Sequence, residues 1–416
     1  MNKFVLLVCL LAASTVGTAA AQEGAVPHGI PHLDHVFVIM MENHGYDQVV
    51  GNPNDPFVNQ YIKSANFASN YFAVGHPSLT NYLEVVGGSN FGVRTDNSPD
   101  WHNATCATNL SNGFVSTDTP ATGNICPISG TGTDAATPAI DYTNETTGPP
   151  GDIDIDGVKS YAANPNTVGK TIADQLSAAG MSWKTYQEDL PPSGADGINL
   201  ADGFFTNNTV LSTALPGETT SLVGLYAVKH NPFAYFASIQ SGNDSDSSLK
   251  NMVSFTGHRG LYADLESGHV PTYSFIVPNQ CHDQHGRSNA GPDCEYDPND
   301  AGTQVGLNPA LMFDGDAALE QIVNAIHHSP AWQDGRSVIV TVWDENDYSV
   351  APTINKVLTI VDTNYGREHV QSSEFYTHFS LLKSVEAGLG LPCLNHACDA
   401  DTAVMSDLFG RDHFGR

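Results

Sequence analysis

Val36–Asn43, VFVIMMEN, is an unbroken apolar run that stops abruptly at a carboxylate and an amide. A run of strand length without polar alternation has the pattern of a strand buried on both faces of a parallel sheet. Glu42 and Asn43 then stand at its carboxyl end, the rim at which open α/β sheets bind their ligands. Two oxygen-bearing side chains there suit a hard cation. Ser337–Trp343, SVIVTVW, repeats the arrangement and runs into Asp344, Glu345, Asn346 and Asp347. Two buried strands are thus predicted to deliver acids to one rim.

Outward from this pair, strand and helix patterns alternate. Thr272–Val277, Lys356–Val361 and the stretch MSWKTYQ from Met181 to Gln187 read as further strands. Leu79, Tyr82, Leu83 and Val86 recur at helical spacing, predicting a helix that begins near Ser78 and stops at Gly87 and Gly88. Ser78 then lies at a helix N-terminus, where unpaired N–H groups and the dipole favour an anion. Val168, Ile172 and Leu176 predict a second helix ending at Gly180, and Leu319, Ile322, Val323 and Ile326 a third. A fourth carries Leu381, Leu382, Val385 and Leu389, with His378 just before it. Gly45 to Ala68 reads as a rim loop followed by a short helix. The fold class is therefore α/β, a mostly parallel sheet covered by helices on both faces. Polar stretches near 91–166 and 191–248 read as long loop insertions in one domain spanning 22–416.

The formal charge of −29, from 16 Lys+Arg against 45 Asp+Glu, disfavours a nucleic-acid partner held through its phosphates. A small phosphate can still bind where a metal supplies positive charge locally. Residues 1–21, with Lys3, an apolar segment and Ala19, Ala20 and Ala21, have the layout of a cleavable secretory signal. That segment is too short for a transmembrane span, so the expected location is secreted or periplasmic. Six of the 7 cysteines lie beyond it in sequence-close pairs: Cys106 with Cys126, Cys281 with Cys294, Cys393 with Cys398. Three local disulfides in an oxidising compartment are the simplest reading. Asp152, Asp154 and Asp156 resemble the start of a calcium loop, but Ala163 stands where such a loop needs its bidentate Glu. A plain acidic turn is preferred there.

At the predicted strand and helix ends the polar groups are Glu42, Asn43, Ser78, His282, Asp283, His285, Asp344, Glu345 and His378. Oxygen and imidazole donors beside a hydroxyl suit one or two divalent cations and a nucleophile. The segments MMENHGYD, HPSLTNYLEVVGG, TIADQLSAAGMSWKTY, YSFIVPNQCHDQHG, VTVWDENDY and THFSLLKSVEAGLGLP occur in this order. As an ordered set they resemble the secreted phosphoesterase family of acid phosphatases and phospholipases C, within the alkaline phosphatase superfamily.

The resemblance implies that Glu42 and Asn43 are metal ligands, that Asp344 and Glu345 complete the metal site, and that His378 is the last active-site histidine. It implies Ser78 as nucleophile, with Thr80 the second choice. His282, Asp283 and His285 fall on a motif that varies in the family, so which binds metal and which moves protons stays open. His282 and His285 are taken here as proton-transfer candidates, and Asp283 and His378 as further ligands. The implied mechanism is in-line displacement at phosphorus through a phosphoserine. Helix N–H groups, with Asn43 or Asn81, would stabilise the nonbridging oxygens. The expected function is a metal-dependent phosphomonoesterase acting on a small phosphate ester or phospholipid headgroup. The alternatives are a phospholipase C-type phosphodiesterase and an inactive secreted metal- or phosphate-binding protein.

Overall fold

A computed structural model describes residues 23–93, 95–99, 110, 125–132, 164, 166–191, 224–241, 248–287, 290–297, 303–346, 355–366 and 369–410. The stretch read as a signal, Cys106, residues 152–156 read as an acidic turn, and most of both stretches read as insertions lie outside the described residues.

Eleven strands are described: β1 (His35–Met41), β2 (Asn66–Phe72), β3 (Thr131–Gly132), β4 (Thr167–Val168), β5 (Trp183–Gln187), β6 (Met252–Val253), β7 (Tyr273–Val277), β8 (Ser337–Trp343), β9 (Lys356–Thr363), β10 (Gln371–Ser372) and β11 (Tyr376–Thr377). Nine of them form one sheet in the order β10-β2-β9-β8-β1-β7-β5-β6, with β11 beside β2; β3 and β4 form a separate ribbon. β1 sits inside the sheet, and every one of its residues after His35 is buried. A strand hidden on both faces can be apolar throughout, which is why VFVIMM carries no alternation. β8 is buried from end to end and pairs with β1 in parallel, Met41 opposite Trp343. The two strands therefore end together, and the acids that follow them emerge side by side.

The longer helices are α1 (Pro56–Ser64), α2 (Ser78–Gly87), α3 (Ile172–Ala178), α4 (Leu261–Ser267), α5 (Pro309–His327) and α6 (His378–Leu389). α2 begins and ends where its spacing predicts. Gly88 closes it in the left-handed region at φ 72°, and a Cβ there would meet the Leu394 carbonyl oxygen at 2.5 Å. Only glycine fits that turn without strain.

Two local expectations are corrected, and the mostly parallel sheet is borne out with one antiparallel strand in it. Val168 belongs to β4 instead of the following helix, because the Thr171 side chain accepts the Ala173 N–H and starts α3 at Ile172. β2 occupies the end of the stretch read as loop and helix; its register shifts between Ala68 and Tyr71, which breaks the period-two signal. β9 runs antiparallel to both β2 and β8, so the sheet is mixed, although its other described pairings are parallel. Disulfides join Cys281 to Cys294 and Cys393 to Cys398, as their spacing suggests, and Cys126 is also disulfide-bonded. Among the described residues no helix is long and apolar enough to cross a membrane.

Candidate active site

Ser78 is the first residue of α2 and is buried. Its hydroxyl lies 3.2 Å from Glu42 Oε2 and 3.3 Å from Glu345 Oε1. Those acids come from the ends of β1 and β8, so the parallel register of the two strands is what brings both to one oxygen. Asp344 turns with them: its Oδ1 accepts the N–H of Asn43 at 3.1 Å and that of Glu345 at 2.7 Å. Glu345 Oε2 is held by Asn81 Nδ2 at 3.0 Å and by His76 Nδ1 at 2.9 Å. Asn81 also bonds the Val74 and Gly75 N–H groups and the Gly75 carbonyl, which ties the start of α2 to the turn before it.

The loop after β7 supplies the opposite wall. Asp283 Oδ1 accepts the His285 N–H at 2.7 Å, while Gln284 between them points away at φ 79°. Gln284 Nε2 donates to Asp55 Oδ1 and to the Met312 carbonyl, and Gln284 Oε1 accepts the Trp343 indole N–H. Gly315 in α5 makes room for it, since a Cβ there would stand 2.3 Å from Gln284 Cγ. The pin on Gln284 keeps Asp283 and His285 facing the cluster.

A short turn of 3-10 helix, Val228–His230, completes the site. The Lys229 ammonium donates to Asp96 Oδ2 at 3.1 Å, His285 Nε2 at 3.2 Å and Ser78 Oγ at 3.4 Å. His230 stacks on Tyr82 with ring centroids 5.2 Å apart and 8° between planes. Its Nε2 lies 3.1 Å from Glu42 Oε1 and its Nδ1 3.3 Å from Asp283 Oδ2.

Burial sets the electrostatics. It pushes the Glu42 carboxyl up to about 8 against the pull of Lys229, and lifts Asp283 and Asp344 well above the carboxylate range, with Glu42 adding to both. Glu345 is raised by burial and partly restrained by His76. Burial and then Lys229 push His285 down to about 3 and hold His230 well below its ordinary value. Burial opposes the charge on Lys229 too, but Asp96, Glu42 and Glu345 together outweigh it and raise its pKa. Four buried carboxyl groups thus face one ammonium, an arrangement short of positive charge.

The polar atoms fit a divalent cation. Asp344 Oδ2 is buried without a hydrogen-bond partner, and Glu42 Oε1 and Asp283 Oδ2 share the single N–H of a neutral His230, whose nitrogens lie 3.1 and 3.3 Å from them. Two atoms each about 2.1 Å from a metal, at right angles, lie roughly 3 Å from one another. Glu42, His230 and His285 offer ligand atoms all within 4.8 Å of each other.

Of the residues singled out from sequence, Glu42, Ser78, Asn81, Asp283, His285, Asp344 and Glu345 converge here, and Asn43 joins through its backbone N–H. His282 does not. Its ring bonds Glu188 at 2.9 Å and faces a separate cavity lined by Glu188, Asp189, Tyr262 and Asp314. His378 abuts the cluster but has both nitrogens engaged, Nε2 donating to the Asp344 carbonyl at 2.6 Å and Nδ1 accepting from the Tyr71 hydroxyl at 3.0 Å. Burial holds it down to about 4, so it is neutral and keeps no lone pair for a metal in this arrangement. The sequence reading missed Lys229, His230 and Asp96 and gave His76 no role. A signal was present: Lys229, His230 and Asn231 interrupt an otherwise apolar run from Leu225 to Phe236.

The sequence pattern of the Phosphoesterase family matches residues 53–294, which include Ser78, Asn81, Lys229, His230, Asp283 and His285. A phosphatidylinositol-3-phosphatase of Mycobacterium tuberculosis is 24% identical over 408 residues, covering 97% of this chain and 92% of the relative. A probable acid phosphatase of Kluyveromyces lactis is 23% identical over 373 residues, 89% of this chain; the chain spans 61% of that relative's length. A solved structure of a protein in the alkaline phosphatase superfamily from Vibrio parahaemolyticus is 12% identical with a TM-score of 0.43, covering 88% of this chain and 68% of that one. With the ordered motif blocks and more than half its length matched, this chain belongs to the Phosphoesterase family, hydrolases that act on phosphoric ester bonds.

Proposed function

We propose that the protein is an exported, metal-dependent phosphomonoesterase that works through a phosphoserine. The observation that carries the reading is Ser78 Oγ, buried at a helix start between two carboxylates and an ammonium. A hydroxyl held between proton acceptors and a cation is an activated nucleophile. Glu42 and Asp344 would hold the metal, with Asn43 and Asp283 beside them, and Glu345, whose Oε2 is bound by Asn81 and His76, is left to act as base. When bound, the metal polarises the phosphoryl oxygens and lowers the pKa of a nearby hydroxyl.

The chain's own residues account for the rest. Ser78 gives its proton to Glu345 as Oγ bonds to phosphorus and the bond from phosphorus to the alcohol oxygen breaks in line. Asn81 and His76 fix Glu345 for that transfer. His285 is the member of the 282–285 loop that faces the reacting group. Neutral, with its Nδ1–H on the Gly286 carbonyl and its Nε2 lone pair on Lys229, it holds that ammonium beside the reacting group and has no proton to give, so the departing alcohol oxygen takes the proton that Ser78 released to Glu345. Water then attacks phosphorus, the bond to Oγ breaks, and Ser78 regains its proton.

The names of both relatives are those of phosphatases, which supports the monoester reading, for small esters or a phosphorylated lipid headgroup. Disulfides support export to an oxidising compartment. The test is p-nitrophenol release from p-nitrophenyl phosphate and bis-p-nitrophenyl phosphate, before and after chelation and metal add-back, for the wild type and Ser78→Ala. Monoester turnover lost on chelation, restored by a divalent ion and reduced about 10³-fold or more in Ser78→Ala is expected. Faster diester turnover would replace this reading with the phosphodiesterase one, and unchanged activity of Ser78→Ala would end the phosphoserine mechanism.

A further inference from the structure

We propose that Lys229 is the second cation of this site, a fixed ammonium on the Ser78 oxygen that lets the chain work with a single divalent ion. The proposal rests on the phosphoserine reading above and deepens it. Lys229 is buried, 6% exposed, and has three acceptors around Nζ: Asp96 Oδ2, His285 Nε2 and Ser78 Oγ. Three acceptors account for the three protons of an ammonium, which has no lone pair to offer. His285 donates through Nδ1 to the Gly286 carbonyl at 2.8 Å, so Nε2 is the nitrogen with the lone pair, and it is spent on Lys229.

The ammonium is fixed relative to the nucleophile through one carboxylate. Asp96 Oδ2 holds Lys229, and Asp96 Oδ1 accepts the Leu79 N–H at 3.1 Å, in the first turn of the helix that begins with Ser78. Asp96 is therefore a positioning residue. Lys229 itself touches the reacting oxygen and is placed to stabilise it as an alkoxide, then to face the phosphoryl group that replaces its proton.

The same contact closes a metal position. Glu42, His230 and His285 could together take an ion, but Lys229 binds the nitrogen that His285 would have to offer. Two-ion phosphoryl-transfer sites use two cations to clamp the attacking and leaving oxygens. Here one of the two positive charges is supplied by the chain, and the trio around His285 stays closed while Lys229 is present.

The experiment counts bound ions independently of turnover. Full-length wild type, Lys229→Met and Lys229→Arg are titrated with Mn²⁺ by calorimetry, with metal content checked by plasma emission, and kcat and KM are measured on p-nitrophenyl phosphate. The expected result is one ion per chain in the wild type and two in Lys229→Met, whose kcat falls by about 10²-fold or more. Lys229→Arg should keep one ion and recover part of kcat. Two ions in the wild type, one ion in Lys229→Met, or an unchanged kcat in Lys229→Met would each overturn the proposal. If Lys229→Met does not fold, the wild-type count and the Lys229→Arg kinetics decide. Loss of the phosphoserine reading shows itself separately, as turnover that survives Ser78→Ala whatever the ion count.

Discussion

Stripping the protein of divalent ions should make its stability fall as pH rises from about 6.5 to 8, and returning the ion should cancel that fall. Glu42 is fully buried and its carboxyl titrates at about 8 in place of 4.5. Between those values the folded chain holds a proton that the unfolded chain has released, so raising the pH favours unfolding. His285 and His378 act with the opposite sign. Their folded values of about 3 and about 4 lie below the ordinary 6.5, so the unfolded chain takes up protons they refuse, and stability is lost as pH drops below 6.5. The two effects oppose each other between about 4.5 and 6.5; above 6.5 these histidines no longer oppose the carboxyl groups, and His282, raised by its bond to Glu188, acts in the same direction as them. At about 1.4 kcal/mol per pH unit, Glu42 by itself removes about 2 kcal/mol across that last window. Asp283, Asp344 and Glu345 are shifted in the same direction and add to it.

The assay is urea unfolding of chelated protein at several pH values, with and without added Mn²⁺. A cation among these carboxylates favours their charged form, so the ion should stabilise the fold by about 2 kcal/mol more at pH 8 than at pH 6.5. A chelated protein whose stability is flat or still rising over the window, or an ion effect equal at both ends, would refute the claim that these four acids form an underneutralised cation site.

Two further outcomes separate the cluster from its surroundings. His282→Ala should leave kcat within roughly twofold of wild type, because its ring bonds Glu188 and not the Ser78 group; a large loss of kcat would return His282 to the reaction. Gly88→Ala should cost about 2 kcal/mol or more in urea unfolding, since a side chain at φ 72° is strained and its Cβ would meet the Leu394 carbonyl oxygen. A neutral effect there would mean the end of α2 can be rebuilt without glycine.

The acids of the site were legible because each follows a buried strand directly. An apolar run that ends in Glu42, and another that ends in Asp344 and Glu345, fix both the strands and the rim on which the carboxylates stand. Ser78 was legible for a similar local reason: the period of α2 and the closing Gly88 set its first turn. Strand direction was not legible in this way, because an apolar run reads the same whichever way it runs, and β9 turned out antiparallel.

The groups that balance those acids come from elsewhere. Lys229 and His230 lie inside the stretch read as an insertion at 191–248, and meet the cluster only because Val228, Phe233 and Phe236 of that stretch are drawn into the core around them. Nothing in their immediate spacing points to Glu42 or Ser78. Asp96 lies beyond the end of α2 and reaches back to its first turn, a contact that exists only in three dimensions. The case of His282 and His285 shows the same limit inside one motif. They are three residues apart in a loop stapled by Cys281, and composition gives no reason to prefer one. What separates them is Gln284, held at positive φ by Asp55, Met312 and Trp343, which turns His285 inward with Asp283. The acids could be found where secondary structure ends, whereas the groups that balance them depended on how distant segments pack, and Lys229, marked in the sequence only by a break in an apolar run, reaches the Ser78 hydroxyl beside Glu42 and Glu345.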